Sequence, residues 1–167
     1  MHRFEFDTTA SLMSFEARST VHPVCGDAAG LEGWIDVDLD GGASTIRAGL
    51  LEIPLAQLSS GNAIYDAELR RRLGLRRHPM LRAELTSWTP NGEQGTFLVR
   101  GDVTFRGVTR TEGGEMAALI QDDRTVVLEG VRVFDIRDYG MKPPHLLSLR
   151  MHPEVKVRVA IIGRRID

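Results

Sequence analysis

The sequence predicts an all-β fold of antiparallel strands, and three observations predict it. Apolar and polar residues alternate with period two over most of the 167 residues. Turn-forming residues punctuate these runs at short intervals. Only one stretch carries helical spacing, whereas a parallel sheet needs a crossover helix after nearly every strand. Apolar-in, polar-out alternation describes a sheet with one buried face and one wet face.

The runs follow in order. Phe4 and Phe6 alternate with Arg3 and Glu5, and Met13, Phe15 and Ala17 with Ser14, Glu16 and Arg18. "GWIDVDLD" sets Ile35, Val37 and Leu39 against Trp34, Asp36, Asp38 and Asp40, and Asp40-Gly41-Gly42 reads as a turn. "LLEIPL" puts Leu51, Ile53 and Leu55 on one side, with Pro54 marking a strand end because it cannot donate to a ladder. "LRAELTSW" alternates Leu81, Ala83 and Leu85 with Arg82, Glu84 and Thr86, and Thr89-Pro90-Asn91-Gly92 turns the chain. "RGDVTFRGVTR" has Val99, Gly101, Val103 and Phe105 on one face, with a hairpin tip expected at Arg106-Gly107. "EMAALIQ", "TVVLEGVRVFD" and "EVKVRVAI" complete about eight or nine strands.

One segment, about residues 62–73, breaks the pattern. Tyr65, Leu69 and Leu73 recur every four residues, a helical stripe. Ser60 or Asn62 can cap its start and Gly74 can end it. Asp66 and Glu68 precede Arg70, Arg71 and Arg72, the order the helix dipole prefers. Periodicity leaves two architectures open, a two-sheet sandwich and a closed barrel. Glycines inside strands, Gly33, Gly101 and Gly130, suit the sharper curvature of a barrel.

Composition bounds the function. The length suits one domain, residues 1–167. A net charge of -2 and a pI near 6.2 argue against a nucleic-acid protein. The opening "MHRFEFDTTA" lacks a signal-type apolar run, and the lone Cys25 can form no internal disulfide, so the expected location is cytoplasmic. His2, His22, His78, His145 and His152 show no ligand-like pairing, and Asp36, Asp38 and Asp40 read as a solvated strand face, so no metal or cofactor is expected. His22 stands three residues before Cys25, but nothing supplies an oxyanion donor, and no catalytic residue is assigned. Arg70, Arg71, Arg72, Arg76 and Arg77 could form a cationic rim for an anionic head; a solvated helix face explains them better.

Several stretches, in order along the chain, resemble one family. "GDVTFRGVTR" looks like the G-x-L-T-x-R-G-V-T-R hairpin of the YceI-like proteins, and "LSSGNAIYDAELR" resembles their helix entrance. "RRHPMLRAELTS", "FDIRDYGMKPP" and the closing "HPEVKVRVAI" are similar to further family segments. The helix entrance departs from the family pattern, with Tyr65-Asp66 for Arg-Asp and Glu68-Leu69 for His-Leu. The resemblance implies a lipocalin-like antiparallel barrel of about eight strands, some of whose members bind polyisoprenoids, commonly a homodimer, with no established catalytic residues.

The implied function is non-catalytic binding of a long-chain lipid such as a polyisoprenoid inside the barrel. Each buried methylene is worth roughly 0.8 kcal/mol, and association costs on the order of 4–15 kcal/mol. A chain of about ten carbons then barely breaks even, while one of about twenty reaches micromolar affinity on burial alone. The expected lining is Phe15, Ile35, Val37, Leu51, Ile53, Leu85, Phe97, Val99, Val157 and Val159. The competing reading is an interaction or dimerisation module whose barrel is filled by these same side chains. Neither nucleic acid nor stable membrane insertion is expected of it.

Overall fold

The computed structural model describes residues 1–40 and 44–167. Gly41 and Gly42 of the expected Asp40-Gly41-Gly42 turn lie outside them. The strands are β1 (His2–Phe6), β2 (Leu12–Ser19), β3 (Val24–Ala28), β4 (Glu32–Asp38), β5 (Thr45–Pro54), β6 (Met80–Pro90) and β7 (Thr96–Phe105). After them come β8 (Val108–Gln121), β9 (Thr125–Asp135), the two-residue β10 (His145–Leu146) and β11 (Leu149–Arg165). The helix α1 (Ala63–Leu73) stands between β5 and β6. Sequence reading missed β3 and β10. "VCGDA" carries a glycine and too little alternation to signal a strand, and two residues have no period at all.

All pairings are antiparallel, and the strands settle the choice left open between sandwich and barrel. Eight of them close a ring in the order β1-β4-β5-β6-β7-β8-β9-β11, shut by β1 against β11. β11 is long enough to serve two neighbours along one edge. Its first part pairs β2 (Val157 opposite Phe15) and its last part pairs β1 (Arg165 opposite Phe4), while its other edge runs along β9. β3 extends the sheet beyond β2 and is tied at Asp27 to Ser59, just ahead of α1.

The hairpin between β7 and β8 forms as expected. Phe105 faces Val108, and Arg106 and Gly107 have φ of 53° and 77°, the two left-handed residues of a type I′ turn. Gly101 sits where β6 bulges: Leu85 opposes Gly101, and the next paired residue, Ser87, opposes Arg100. A Cβ at Gly101 would lie 2.9 Å from the Glu84 carbonyl oxygen, so only glycine fits against the bulge. The extra residue shifts the parity of β6, so that Trp88 packs against the interior after Leu81 and Leu85.

In α1, Asn62 is the cap, its side chain accepting from the Ile64 and Tyr65 N–H groups at 3.0 and 3.2 Å. Ser60 instead donates to Asp66 at 2.6 Å, and Gly74 ends the helix in a left-handed conformation. Leu69 and Leu73 are buried, which lays the helix across one end of the barrel.

The barrel is unevenly filled. Around β1, β4, the first part of β5 and the last part of β11, Phe4, Leu31, Val37, Val126 and Ile161 interlock in one buried cluster. The other end, under α1, is hollow.

Candidate functional site

The hollow end encloses a cavity of about 310 Å³, partly open to solvent. Its walls are Phe15 and Ala17 of β2, Leu51 and Ile53 of β5, Leu81 and Ala83 of β6, and Val155, Val157 and Val159 of β11. Leu55, Leu69 and Leu73 roof it. The sequence explains why space remains here. Wall positions at this end include Ala83, Gly101, Gly114 and Gly130, whereas the opposite end presents Phe4, Phe6, Leu128 and Ile161. Small side chains on one half of a ring and large ones on the other leave a void in the first.

Of the residues expected to line it, Phe15, Leu51, Ile53, Val99, Val157 and Val159 do. Ile35, Val37, Leu85 and Phe97 do not. Ile35 and Val37 point inward at the filled end, at 5% and 0% exposure. Leu85 packs against the same core. Phe97 lies against Trp88, ring centroids 5.0 Å apart. Alternation names the inner face of a strand but not the height of a residue along the barrel axis, and height decides who meets the cavity.

Sequence reading also missed a polar group on this wall. Glu112 of β8 and Arg132 of β9 line the cavity, and Tyr139 follows from a short 3-10 turn, Ile136–Tyr139. Arg132 donates to Glu112 through Nη2 at 2.7 Å and Nε at 3.2 Å, and also to the Gly113 carbonyl. The Tyr139 hydroxyl donates to the other Glu112 oxygen at 2.8 Å. Tyr139 is 3% exposed and stands edge-on to Phe105 at 5.8 Å. Burial, then its bond to the Glu112 carboxylate, push the phenol above its ordinary range. It therefore stays protonated at neutral pH and serves as a donor. The signal was present: Glu112 shares the parity of inward-facing Met116, and Arg132 that of Val126 and Leu128.

The remaining candidates have local partners. Arg71 and Arg72 pair with Glu68 at 2.7 and 2.9 Å, and those bonds hold the Glu68 carboxyl down at about 2. Arg70 reaches the Leu58 carbonyl. Asp36 takes a bidentate contact from Arg3 at 2.7 and 2.8 Å, and Asp38 meets Arg47 at 3.4 Å. Cys25 is exposed, while the His22 ring turns to the Pro23 carbonyl at 3.0 Å. Among the described residues no three His, Cys, Asp or Glu side chains gather at metal-binding distance, and no helix is long and apolar enough to cross a membrane.

Residues 4–162 match the family model of the YceI-like domain. The fold matches solved structures at low identity. BcnA of Burkholderia cenocepacia superposes with a TM-score of 0.80 at 16% identity, over 94% of this chain and 98% of that one. A polyisoprenoid-binding domain from Saccharophagus degradans, implicated in plant cell wall breakdown, gives 0.80 at 15% identity over 99% and 100%. A Campylobacter jejuni YCEI protein gives 0.68 at 12% identity over 86% and 85%. No curated protein sequence matches the chain.

Proposed function

The chain belongs to the YceI-like family, and from that premise we propose that its barrel binds or carries a long-chain hydrophobic or amphiphilic lipid, a polyisoprenoid or similar molecule, without catalysis. The observation that carries the proposal is the cavity: about 310 Å³ of space walled by aliphatic side chains at the end of a barrel whose other end is packed. That volume falls at the lower bound of ligand sites, roughly 300–1,000 Å³. A void of this kind costs a folded protein stability unless an apolar guest restores the lost contacts. The polyisoprenoid-binding neighbour from Saccharophagus degradans supports the ligand class. A filled-barrel interaction module fits the packed half alone and leaves the hollow half unexplained.

The same proposal includes a cytoplasmic location and a homodimer. The test is direct. Protein purified under native conditions is extracted with organic solvent and the extract is analysed by mass spectrometry. A stoichiometric long-chain lipid, or a rise in melting temperature with added polyprenol, is the expected result. An empty extract together with no thermal response to polyprenols or fatty acids overturns the proposal.

A further inference from the structure

We propose that the gap between β8 and β9 is a lateral doorway into the cavity, latched by Arg132 and Glu112, and that the doorway receives the oxygen-bearing polar head of the bound amphiphile. This deepens the lipid-binding reading above and rests on it.

The ladder between the two strands breaks off halfway. It runs from Gln121 opposite Thr125 to Met116 opposite Gly130, and no pair follows. Both strands continue, β8 paired with β7 down to Val108 and β9 paired with β11 up to Asp135. The next four positions on each strand therefore share no ladder bonds across the gap. The cavity reaches this stretch in a telling way. Neighbouring residues of opposite facing line it together: Glu112, Gly113, Gly114 and Glu115 on one edge, Val131 and Arg132 on the other. In an unbroken wall only every second residue can touch the inside. When successive residues do so, the space passes through the wall.

Side chains close the breach where backbone does not. Arg132 would stand opposite Gly114 if the ladder continued. Instead its guanidinium crosses to the Glu112 carboxylate and the Gly113 carbonyl, replacing a lost ladder bond with a side-chain one. A Cβ on Gly114 would lie 3.8 Å from Arg132 Cδ, ordinary van der Waals contact, so the arginine stem lies directly along this edge of the gap. An ion pair with Arg132 still 41% exposed is a weak and reversible fastening, unlike a strand ladder. Just outside, Val131 and Val133 are 41% and 53% exposed and give an arriving chain an apolar step.

The latch also sets the kind of head it accepts. The Tyr139 hydroxyl is already committed as a donor to one Glu112 oxygen, and Arg132 donates to the other. Arg132 keeps N–H groups beyond the three it uses, so the free valence here is a donor. The matching head is an acceptor oxygen: a carbonyl, hydroxyl or phosphate.

The test follows uptake kinetics of cis-parinaric acid, a fluorescent long-chain probe with a carboxylate head, in a Cys25→Ser background. Glu115→Cys with Val131→Cys places two thiols on the outer face one step past the last ladder pair. Oxidising that pair is expected to slow uptake roughly tenfold or more, and reduction to restore it. Arg132→Met and Glu112→Gln are expected to load several-fold faster, and Arg132→Met, which removes the donor for the carboxylate head, to bind the probe several-fold more weakly at equilibrium. Hydrogen exchange gives a second readout free of lipid: those amides of 113–115 and 131–133 that point across the gap exchange faster than the β8 amides of 117–121 that point to β9, and faster still in Arg132→Met. Equal uptake rates in all these proteins, or equal protection on both sides of Met116, overturn the doorway while leaving the carrier intact. No uptake by the parent protein under any condition overturns the carrier reading, and the doorway falls with it.

Discussion

Replacing Ala83 by phenylalanine tests whether the end under α1 is hollow. Ala83 lies on the inner face of β6, with Leu51 and Val103 as its ladder neighbours, and all three line the cavity. A phenyl ring there enters open space. Burying a phenylalanine side chain is worth roughly 1.5–3 kcal/mol, less up to about 1 kcal/mol for the rotamers lost. The net gain is about 0.5–2 kcal/mol, and for a chain of this size each kcal/mol moves the melting temperature by about 2–4 °C. The variant should melt about 1–8 °C higher than the parent in its lipid-free form and lose most of its lipid capacity. Differential scanning calorimetry on delipidated protein reads the first, and titration with a fluorescent long-chain probe reads the second. In a packed interior the same ring costs about 1–3 kcal/mol through overcrowding, and the melting temperature falls. A fall with lipid binding undiminished would refute the reasoning.

Three further outcomes are expected. Phe4→Ala, at a site with 0% exposure in the packed end, should cost about 3–5 kcal/mol in urea unfolding, because neighbours there cannot collapse into the space. Glu68 is held near 2 by Arg71 and then Arg72, below the ordinary value of 4.5, so the folded protein binds fewer protons than the unfolded one as pH falls. The parent should lose stability between about pH 5 and 2, and Glu68→Gln should lose less over that window, read as urea midpoints against pH. Tyr139 moves the other way: its phenol is raised, so its contribution is complete below the ordinary value of 10.0 and disappears only at more alkaline pH. Spectrophotometric titration should show a late-titrating phenol that vanishes in Tyr139→Phe.

Much of the fold was legible because period-two alternation reports which side of a strand is buried, and few other folds bury one side of so many strands. The Arg106-Gly107 tip and the Asn62-to-Gly74 limits of the helix were legible for a local reason: turns and caps depend on a few adjacent residues. Position along the barrel axis was not. Ile35 and Val157 have the same parity and composition, yet one fills the core and the other faces the void, because the strands are staggered around the ring and stagger is set by pairing. The β6 bulge after Leu85 was hidden likewise, since one extra residue leaves no mark until its partner strand is known. The break between β8 and β9 lies deepest. Glu112 and Arg132 could be read as charged residues on inward positions, but only the missing ladder says what they do there.

β11 is the last strand of the chain, and nothing closes without it. Its seventeen residues pair with β1 and β2, strands that lie far earlier in the sequence. During synthesis the opening strands therefore leave the ribosome long before their partner exists. Their greasy sides, Phe4, Phe6 and Phe15 among them, must wait until β11 has been made, and contacts between distant parts of a sequence also form slowly. A chain cut just before Gly163 would lose all the pairs between β1 and β11, Phe4 with Arg165, Glu5 with Arg164 and Phe6 with Gly163, so that truncation should yield a protein that chaperones hold or proteases remove.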